Sequence, residues 1–352
     1  MASLLAAMRE RAPDARQLLI NTGQHYDPAL SSLFLEVLGM PSPDFELEVG
    51  SASHAAQTAR VMERIEPILI NEAVDVIVVP GDVNSTLAAG LVAAKLGIQI
   101  VHLEAGLRSG DRSMPEELNR ILVDQISDLL LTHSPEALDN LVREGVSPDR
   151  IHMVGNTMID ALVALRDRFS LLDPGARFDL AEGEYLLVTL HRPALVDGPL
   201  LHEAMAALTD VSKSLPVLFP VHPRTRSRLA DFNGSESFHL CEPLGYLDFL
   251  AAQSKARAVL TDSGGVQEET TFLGVPCFTL RDNTERPVTL EAGTNTLLGL
   301  DPMEIRSIPN RLNDQQQVGS RPAMWDGEAG ARAADIITST LITPSSAGME
   351  NG

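Results

Sequence analysis

The sequence has little cysteine and no long hydrophobic run. Only Cys241 and Cys277 occur in 352 residues, and each lies in an apolar, strand-like run, so we expect both thiols to be buried and reduced. No apolar stretch approaches the length of a membrane span, and the amphipathic N-terminal segment contains acidic residues, unlike a signal peptide. These absences predict a cytoplasmic protein.

Basic residues are also scarce. The chain has 27 Lys and Arg against 48 Asp and Glu, a net charge of −21 that disfavours nucleic acid and membrane partners. A phosphorylated ligand would therefore need a local cluster of arginine and histidine. A GxGxxG fingerprint is absent, which argues against nicotinamide redox chemistry, and we expect no cofactor. His102 and Glu104 are spaced as metal ligands can be, but no second motif accompanies them, so we expect no metal.

The length of 352 residues exceeds one ordinary hydrophobic core, and 44% hydrophobic residues indicate a folded chain. Short apolar runs alternate with segments of helical spacing, which predicts parallel sheets covered on both faces by helices. The pattern restarts after a Pro-Gly interruption between Phe169 and Gly183. We therefore predict an α/β protein with two doubly wound, Rossmann-like domains facing a central cleft, at 1–170 and 171–320. A helix at 321–341 would pack back on the first domain, and a polar tail at 342–352 would be disordered.

The predicted strands are these apolar runs. In the first half they are Leu18–Ile20, Val76–Val79, Ile98–Leu103, Leu129–Thr132 and Ile151–Val154. In the second half they are Tyr185–Leu190, Val217–Val221, His239–Cys241, Ala258–Thr261 and Cys277–Leu280. In doubly wound sheets, ligands bind beyond the carboxyl ends of the strands, so polar residues that follow these runs are the candidate site residues.

The stretch from Leu260 to Arg286 concentrates such residues. Ser263, Gly264 and Gly265 follow a predicted strand where a helix begins, and a helix N-terminus with glycine is suited to a phosphate. Asp262 and Ser263 are also good N-cap residues, so simple helix capping is the alternative interpretation. Glu268 and Glu269 lie one turn into the helix, where one could accept hydrogen bonds from sugar hydroxyls and the other complement the helix dipole.

Polar clusters follow other strands as well. In the first half, Asp82 follows one strand, Glu104 and Arg108 follow the next, and Glu116 and Arg120 lie at helical i, i+4 spacing. In the second half, the clusters are His191-Arg192 and the segment from His222 to Arg226, which contains Arg224. Each alone is better explained as a cap, turn or surface ion pair. Together they place acids in the first domain and cations in the second, as a nucleotide-sugar site would.

These clusters, in this order, resemble those of the non-hydrolysing UDP-N-acetylglucosamine 2-epimerases, which have the glycosyltransferase-B architecture. The resemblance covers about residues 2–335. It rests on the motifs TGQHYD, GDVNSTLAA, HLEAGLRSGDRSMPEELNR, GNTMID, LVTLHRP, PVHPRTR, EPLGYLDFL, LTDSGGVQEET and RDNTERP. Such enzymes interconvert UDP-GlcNAc and UDP-ManNAc by eliminating UDP and adding it back to a 2-acetamidoglucal. The resemblance further implies a homodimer and a role in making surface polysaccharides.

The resemblance also implies residue roles. Catalytic roles fall to Asp82, Glu104, Glu116 and His191, with Arg120 positioning Glu116 and His191 beside the diphosphate. Substrate-binding roles fall to Arg120, His222, Arg224, Phe249, Ser263, Gly264, Gly265, Glu269 and Arg286. Within this set, the Ser-Gly-Gly turn would hold the phosphates, Glu269 the ribose, Phe249 the uracil region and Arg286 the sugar or diphosphate.

The sequence departs from the family pattern at two places that bear on the site. Family members normally begin with a strand ending in a Gly-Thr-Arg-Pro turn whose arginine reaches the nucleotide, and this sequence starts within the following helix. The usual His-Arg-x-Glu-Asn is here His191-Arg192-Pro193-Ala194-Leu195, which lacks two polar groups.

Three other functions are considered beside epimerisation of UDP-GlcNAc. One is 2-epimerisation of a related substrate such as a UDP-2,3-diacetamido uronic acid, which should require an additional cation near the sugar. Another is a UDP-sugar glycosyltransferase of the same architecture, although three carboxylates suit proton transfer at C2 better than displacement at C1. The last is an inactive protein that binds nucleotide sugars without turnover.

Overall fold

Two larger parallel sheets organise the chain, one in each of two α/β units. A computed structural model describes residues 1–23, 35–221, 223–229, 232, 234–314 and 319–341, without the side chains of 193, 194, 223 and 224. Unit 1 comprises Met1–Ala161 together with the chain from Asp326 onward, and unit 2 is Leu162–Trp325. The predicted tail at 342–352 lies outside the described residues. No helix among the described residues is long and apolar enough to cross a membrane.

Unit 1 is built on a four-stranded parallel sheet of order β3-β4-β5-β6. Its strands are β3 (Val76–Pro80), β4 (Gln99–Leu103), β5 (Leu129–Thr132) and β6 (Ile151–Met153). A separate parallel pair consists of β1 (Ile20–Asn21) and β2 (Phe45–Glu46). The helices are α1 (Ala2–Arg11), α2 (His54–Asn71), α3 (Asn84–Leu96), α4 (Pro115–Ile126), α5 (Pro135–Arg143), α6 (Thr157–Ser170), which ends in unit 2, and α14 (Ala329–Thr340).

Helices cover both faces of the unit 1 sheet because successive strand residues point to opposite sides. On one face, Val79 and Ile100 pack with Val61 of α2 and Ala88 of α3. On the other face, Val101 and its neighbours pack with residues of α1 and α14. The contributing side chains there are Leu103, Leu129, Leu131, Leu4, Ala333 and Ile337. Burial on both faces explains why these strands are continuous apolar runs.

Unit 2 has a six-stranded parallel sheet of order β12-β11-β10-β7-β8-β9, the doubly wound Rossmann order. Its strands are β7 (Leu186–Thr189), β8 (Val217–Pro220), β9 (Phe238–Cys241), β10 (Ala258–Thr261), β11 (Cys277–Thr279) and β12 (Asn295–Leu297). The helices are α7 (Pro193–Val196), α8 (Leu200–Val211), α9 (Pro223–Arg226), α10 (Tyr246–Lys255), α11 (Gly264–Leu273), α12 (Val288–Glu291) and α13 (Ile308–Asp314). The strand order reverses between β7 and β10, where such sheets bind ligands.

The predicted strands are confirmed, with a separate pairing for the first strand and a correction to the burial of one cysteine. The run Leu18–Ile20 contributes to β1, and within the described part of the chain β1 forms a two-stranded sheet with β2, at Ile20 and Phe45, apart from the four-stranded sheet. Cys277 is buried as predicted, whereas Cys241 is partly exposed because it ends β9, the edge strand of its sheet. Both cysteines are free thiols.

The final helix of unit 1 packs on its first helix. Asp160 of α6, which is buried, accepts hydrogen bonds from the backbone N–H groups of Ala329 and Gly330, at 3.0 and 2.6 Å. A Cβ at Gly330 would collide with the backbone of Ser3, so glycine lets α14 approach α1 closely. The last helix therefore completes the hydrophobic core of unit 1.

Candidate functional site

Two of the predicted carboxylates follow neighbouring strands of unit 1. Asp82 comes after β3 and Glu104 after β4, and the N–H of Gly81 donates to the carbonyl of Leu103 at 3.0 Å. Glu104 has a φ of 69°, a left-handed conformation that costs a non-glycine residue about 1–3 kcal/mol. Such strain at a carboxylate on a strand end is typical of a functional site.

Arg120 of α4 holds Asp82 in place. Its guanidinium donates from Nε and Nη2 to Asp82 Oδ2, at 2.9 and 2.6 Å, and from Nη1 to Glu117 Oε2 at 2.6 Å. The prediction that Arg120 positions Glu116 is therefore corrected, because its guanidinium contacts Asp82 and Glu117 instead. Both glutamates are one helical turn from Arg120, but Glu117 faces the interior with the buried guanidinium, while Glu116 is half-exposed.

The sequence interpretation missed two further residues of α4. The Nδ2 of Asn119 donates to the backbone carbonyl of Asp82 at 2.9 Å, and Glu117 accepts from the N–H groups of Ser109 and Gly110, each at 2.9 Å. Burial raises the pKa of Glu117, but these N–H groups and the Arg120 guanidinium outweigh it and lower the pKa. The signal available in the sequence was the run of polar residues in PEELNR, which includes both Glu117 and Asn119.

A cluster of charged side chains lies beside the two strand ends. It consists of His102, Asp124, Arg108 and Glu144, and we call it the charged layer. His102 of β4, fully buried, has Nδ1 at 2.5 Å from Asp124 Oδ1 and Nε2 at 2.8 Å from the carbonyl of Gly81. Burial alone would lower the pKa of His102, but the charge and hydrogen bond of Asp124, with the Gly81 carbonyl, outweigh it and raise the pKa. The Gly81 carbonyl can only accept, so Nε2 is the donor towards it, and the raised pKa favours the protonated ring beside Asp124.

The second oxygen of Asp124 has its own partners. Asp124 Oδ2 accepts from the N–H of Gly106 at 3.2 Å and lies 2.8 Å from Nη2 of Arg108, which in turn pairs with Glu144 at 2.6 Å. With both ring nitrogens of His102 engaged, the His-x-Glu pair is not a metal site. Over the described ranges, no group of three or more His, Cys, Asp or Glu side chains is arranged to hold a metal ion.

In unit 2, the turns after the two central strands are joined by Asp262. Its Oδ2 accepts from the backbone N–H groups of His191 and Arg192, at 2.9 and 2.8 Å, and its Oδ1 lies 2.8 Å from His191 Nδ1. Burial raises the pKa of Asp262, but the hydrogen bond and charge of His191 and the two N–H groups outweigh it and lower the pKa. The alternative interpretation of Asp262 as a helix cap is therefore not supported, because its carboxylate contacts the turn at His191 and Arg192 and Ser263 occupies the N-cap position.

The Ser-Gly-Gly turn opens α11 as predicted. Ser263 occupies the N-cap position but makes no side-chain capping hydrogen bond, and α11 starts at Gly264. The side chain of Asp262 orients His191, whose own side chain is 55% exposed. The first N–H groups of α11 thus lie at the switch point of the sheet, beside a histidine, which is an arrangement suited to a phosphate.

A buried ion network supports this turn. Arg286 lies 2.9 Å from Glu268 through Nε and 2.5 Å from Glu285 through Nη1, and Glu285 also pairs with Arg281 at 2.7 Å. A Cβ at Gly264 would lie within 3.0 Å of the Arg286 guanidinium and the Glu285 carboxylate, so the glycine lets this ion pair approach the start of α11. Burial raises the pKa of Glu285, but the two arginines outweigh it and lower the pKa strongly.

Glu269 differs from its neighbour Glu268. Its Oε1 accepts from the Tyr246 hydroxyl at 3.2 Å, and it is buried. Burial, followed by the charge of Glu268, raises its pKa to about 7, although the Tyr246 hydroxyl opposes the shift. Glu268 is the ion-paired member of the pair, and Glu269 is the one poised to exchange a proton near neutral pH.

Glu269 should make the stability of the protein depend on pH. Its carboxyl has an ordinary pKa of 4.5 and a folded-state pKa of about 7, so between these values the unfolded chain loses the proton and the folded chain keeps it. Stability should therefore fall as the pH rises from 4.5 to 7. Thermal unfolding midpoints of Glu269→Gln should lose this component of the pH dependence, whereas Glu291→Gln, at an exposed glutamate of unit 2, should retain it.

Three predicted ligand-binding residues remain, of which the structure describes the side chain of one. Phe249 of α10 is half-buried and packs on the apolar cluster around Tyr185 and Val259. His222 lies outside the described residues, and the side chain of Arg224, a residue of α9, is not described either. The structure thus gathers His191, the Ser-Gly-Gly turn and Arg286 in unit 2, and Asp82, Glu104 and Arg120 in unit 1.

Comparison with known proteins gives a consistent result. The family model described as UDP-N-acetylglucosamine 2-epimerase matches residues 7–338. The UDP-N-acetylglucosamine 2-epimerase of Methanococcus maripaludis is 41% identical over 331 residues, covering 91% of this chain and 90% of that protein. A UDP-2,3-diacetamido-2,3-dideoxy-D-glucuronate 2-epimerase of Pseudomonas aeruginosa is 39% identical over 288 residues, covering 80% of each.

Among solved structures, the UDP-GlcNAc 2-epimerase of Methanocaldococcus jannaschii in complex with UDP-GlcNAc and UDP superposes with a TM-score of 0.84. It is 37% identical, and the match covers 96% of each chain. The two Rossmann-like units therefore form a glycosyltransferase-B type fold, as the sequence predicted.

Proposed function

This chain belongs to the UDP-N-acetylglucosamine 2-epimerase family, and from that membership we propose that it interconverts UDP-N-acetylglucosamine and UDP-N-acetylmannosamine. It is an isomerase. The similar protein solved with UDP-GlcNAc and UDP, together with the wider match to the Methanococcus enzyme, favours this substrate over the uronic acid.

The proposed reaction has two reversible steps. A carboxylate removes the proton from C2 while the C1–O bond breaks and its electron pair leaves with UDP, which gives a C1=C2 double bond. UDP then adds back at C1 as a proton is delivered to the opposite face of C2. The chemistry requires proton-transfer groups that act at C2 and stabilisation of the departing diphosphate.

The observation that carries the proposal is the carboxylate set on the strand ends of unit 1. Asp82 and Glu104 follow paired strands, the guanidinium of Arg120 donates hydrogen bonds to Asp82, and Glu104 has a strained backbone. Asp82, Glu104 and Glu116 are the proposed acids and bases. Arg120 acts by holding Asp82.

Unit 2 would bind the UDP portion of the substrate. We assign the diphosphate to the N-terminus of α11 at Ser263, Gly264 and Gly265, with His191 favouring departure of UDP. Glu269 is assigned to the ribose, Phe249 to the uracil region and Arg286 to the sugar or diphosphate. His222 and Arg224 remain proposed ligand residues from the sequence.

The oligomeric state, the cellular location and the fate of the product belong to the same proposal. A homodimer is the form expected for the family. Cytoplasmic location fits a sequence with two free thiols. The product would enter the synthesis of surface polysaccharides.

Proton NMR tests the proposal directly. The purified protein is incubated with UDP-GlcNAc in D2O without any sugar acceptor, and UDP-ManNAc carrying deuterium at C2 is the expected product. A glycosyltransferase would leave the sugar unchanged without an acceptor, and a binding protein would retain UDP without turnover. Unchanged UDP-GlcNAc would therefore reject the proposed function.

A further inference from the structure

His102 and Asp124 contact both loops that carry the proposed catalytic carboxylates. The ring Nε2 of His102 donates to the carbonyl of Gly81, the residue before Asp82, at 2.8 Å. Asp124 accepts from the N–H of Gly106, two residues after Glu104, at 3.2 Å. We propose that His102 and Asp124 are positioning residues that fix Asp82 and Glu104 relative to each other, an inference that rests on the proposed function.

Burial limits these two side chains to an indirect role. Each has no exposed surface, so neither reaches a substrate. Their own charges are balanced within the layer, because His102 and Arg108 face Asp124 and Glu144. The role inferred for the layer is therefore geometric, through its hydrogen bonds to the two loops.

One residue of these two loops has a strained backbone. Glu104 has a φ of 69°, in the left-handed region that is unfavourable for a residue with a Cβ, whereas Gly81 and Gly106 adopt φ values of 65° and 83° without strain. Unusual conformations persist when surrounding contacts over-determine them. The His102–Asp124 pair supplies one hydrogen bond to each loop, so a single rigid link spans both.

An apolar side chain would be the simple choice at position 102. In β4, the flanking residues Val101 and Leu103 are buried and apolar, and His102 pairs in register with Val79 and Leu130. A buried ionisable ring is costly unless its hydrogen bonds are satisfied. The two hydrogen bonds of His102 are what it provides beyond filling the core.

Three variants test the role by steady-state kinetics with UDP-GlcNAc. His102→Phe keeps a ring but removes both donors, and we expect kcat to fall about 100-fold while KM changes less than about three-fold, since a 1 Å misplacement has effects of this size. In His102→Gln the amide nitrogen lies near the position of Nε2 and can still bind Gly81. In His102→Asn it lies near Nδ1 and can reach only Asp124.

The amide pair distinguishes positioning from general core stability. The kcat of His102→Gln should be at least about ten-fold higher than that of His102→Asn, although each variant places one amide donor group at the buried position. His152→Phe, on β6 of the same sheet, is the matched control and should keep the parental kcat. Thermal unfolding and UDP affinity are measured for every variant, and UDP affinity should be unchanged because unit 2 binds it.

Each outcome decides the assignment. A folded His102→Phe variant with kcat within about three-fold of the parent would overturn it, since positioning errors should cost more. If that variant does not fold, equal kcat values for the glutamine and asparagine variants would overturn it instead. A parental protein that binds UDP without epimerising UDP-GlcNAc would refute the proposed function and, with it, this role; an active parent confines any failure to the role of His102.

Discussion

Replacing Glu104 with glutamine is expected to lower kcat for C2 epimerisation about 10³-fold, the loss typical of a general acid–base group. Glutamine preserves the shape of the side chain and its left-handed backbone demand, since both residues carry a Cβ at a φ of 69°. It removes the basicity needed to take a proton from C2. The measurement is the rate of UDP-ManNAc formation, followed by proton NMR together with deuterium entry at C2.

The matched control for this change is Glu66→Gln, at an exposed glutamate of α2 in the same unit. It should leave kcat unaltered. A Glu104→Gln variant that still incorporates deuterium at the parental rate would remove Glu104 from proton transfer. Proton transfer at C2 would then be assigned to Asp82 and Glu116.

Replacing Arg120 with methionine is expected to destabilise the protein by about 3 kcal/mol, because removing one partner leaves a buried charge uncompensated. The side chains of Arg120 and Glu117 are 3% and 2% exposed, so solvent cannot replace the lost ion pair. The free energy of unfolding would be obtained from urea titration followed by circular dichroism.

A double variant identifies the cause of that loss. Arg120→Met combined with Glu117→Gln also removes the buried negative charge. The double variant should therefore lose less stability than the sum of the losses of the two single variants. Arg112→Met, at an exposed arginine of the preceding loop, should change stability by less than about 0.5 kcal/mol. An Arg120→Met loss no larger than that of Arg112→Met would show that the ion pair contributes little.

Much of the fold was predictable from apolar runs. Strands buried on both faces, such as Leu129–Thr132 and Ala258–Thr261, have the bounds that the sequence predicted. Two short strands were missed, Phe45–Glu46 and Asn295–Leu297, because two or three residues with polar members give no periodic signal. The separate pairing of β1 depends on a partner 25 residues away, which local pattern does not encode.

The site was predictable as a set of residue types at strand ends, and less so as a set of contacts. Helical spacing allows Arg120 to meet a glutamate three or four residues earlier, and only burial selects Glu117. Asp262 has the residue type of a helix cap, yet the adjacent turn at His191 takes its oxygens. His102 was visible as a polar residue in an apolar strand, but Asp124, its partner 22 residues later, was not.

The division of unit 1 between two segments sets an order of events during synthesis. All segments of unit 2 lie between Leu162 and Trp325, so it can close its sheet once they have left the ribosome. One face of the unit 1 sheet is completed only by Ala329–Thr340, whose side chains pack with Val101 and Leu129. Although the first residues of unit 1 are made first, we expect this face to be covered last, so that the nascent chain exposes its apolar residues until the final helix is made.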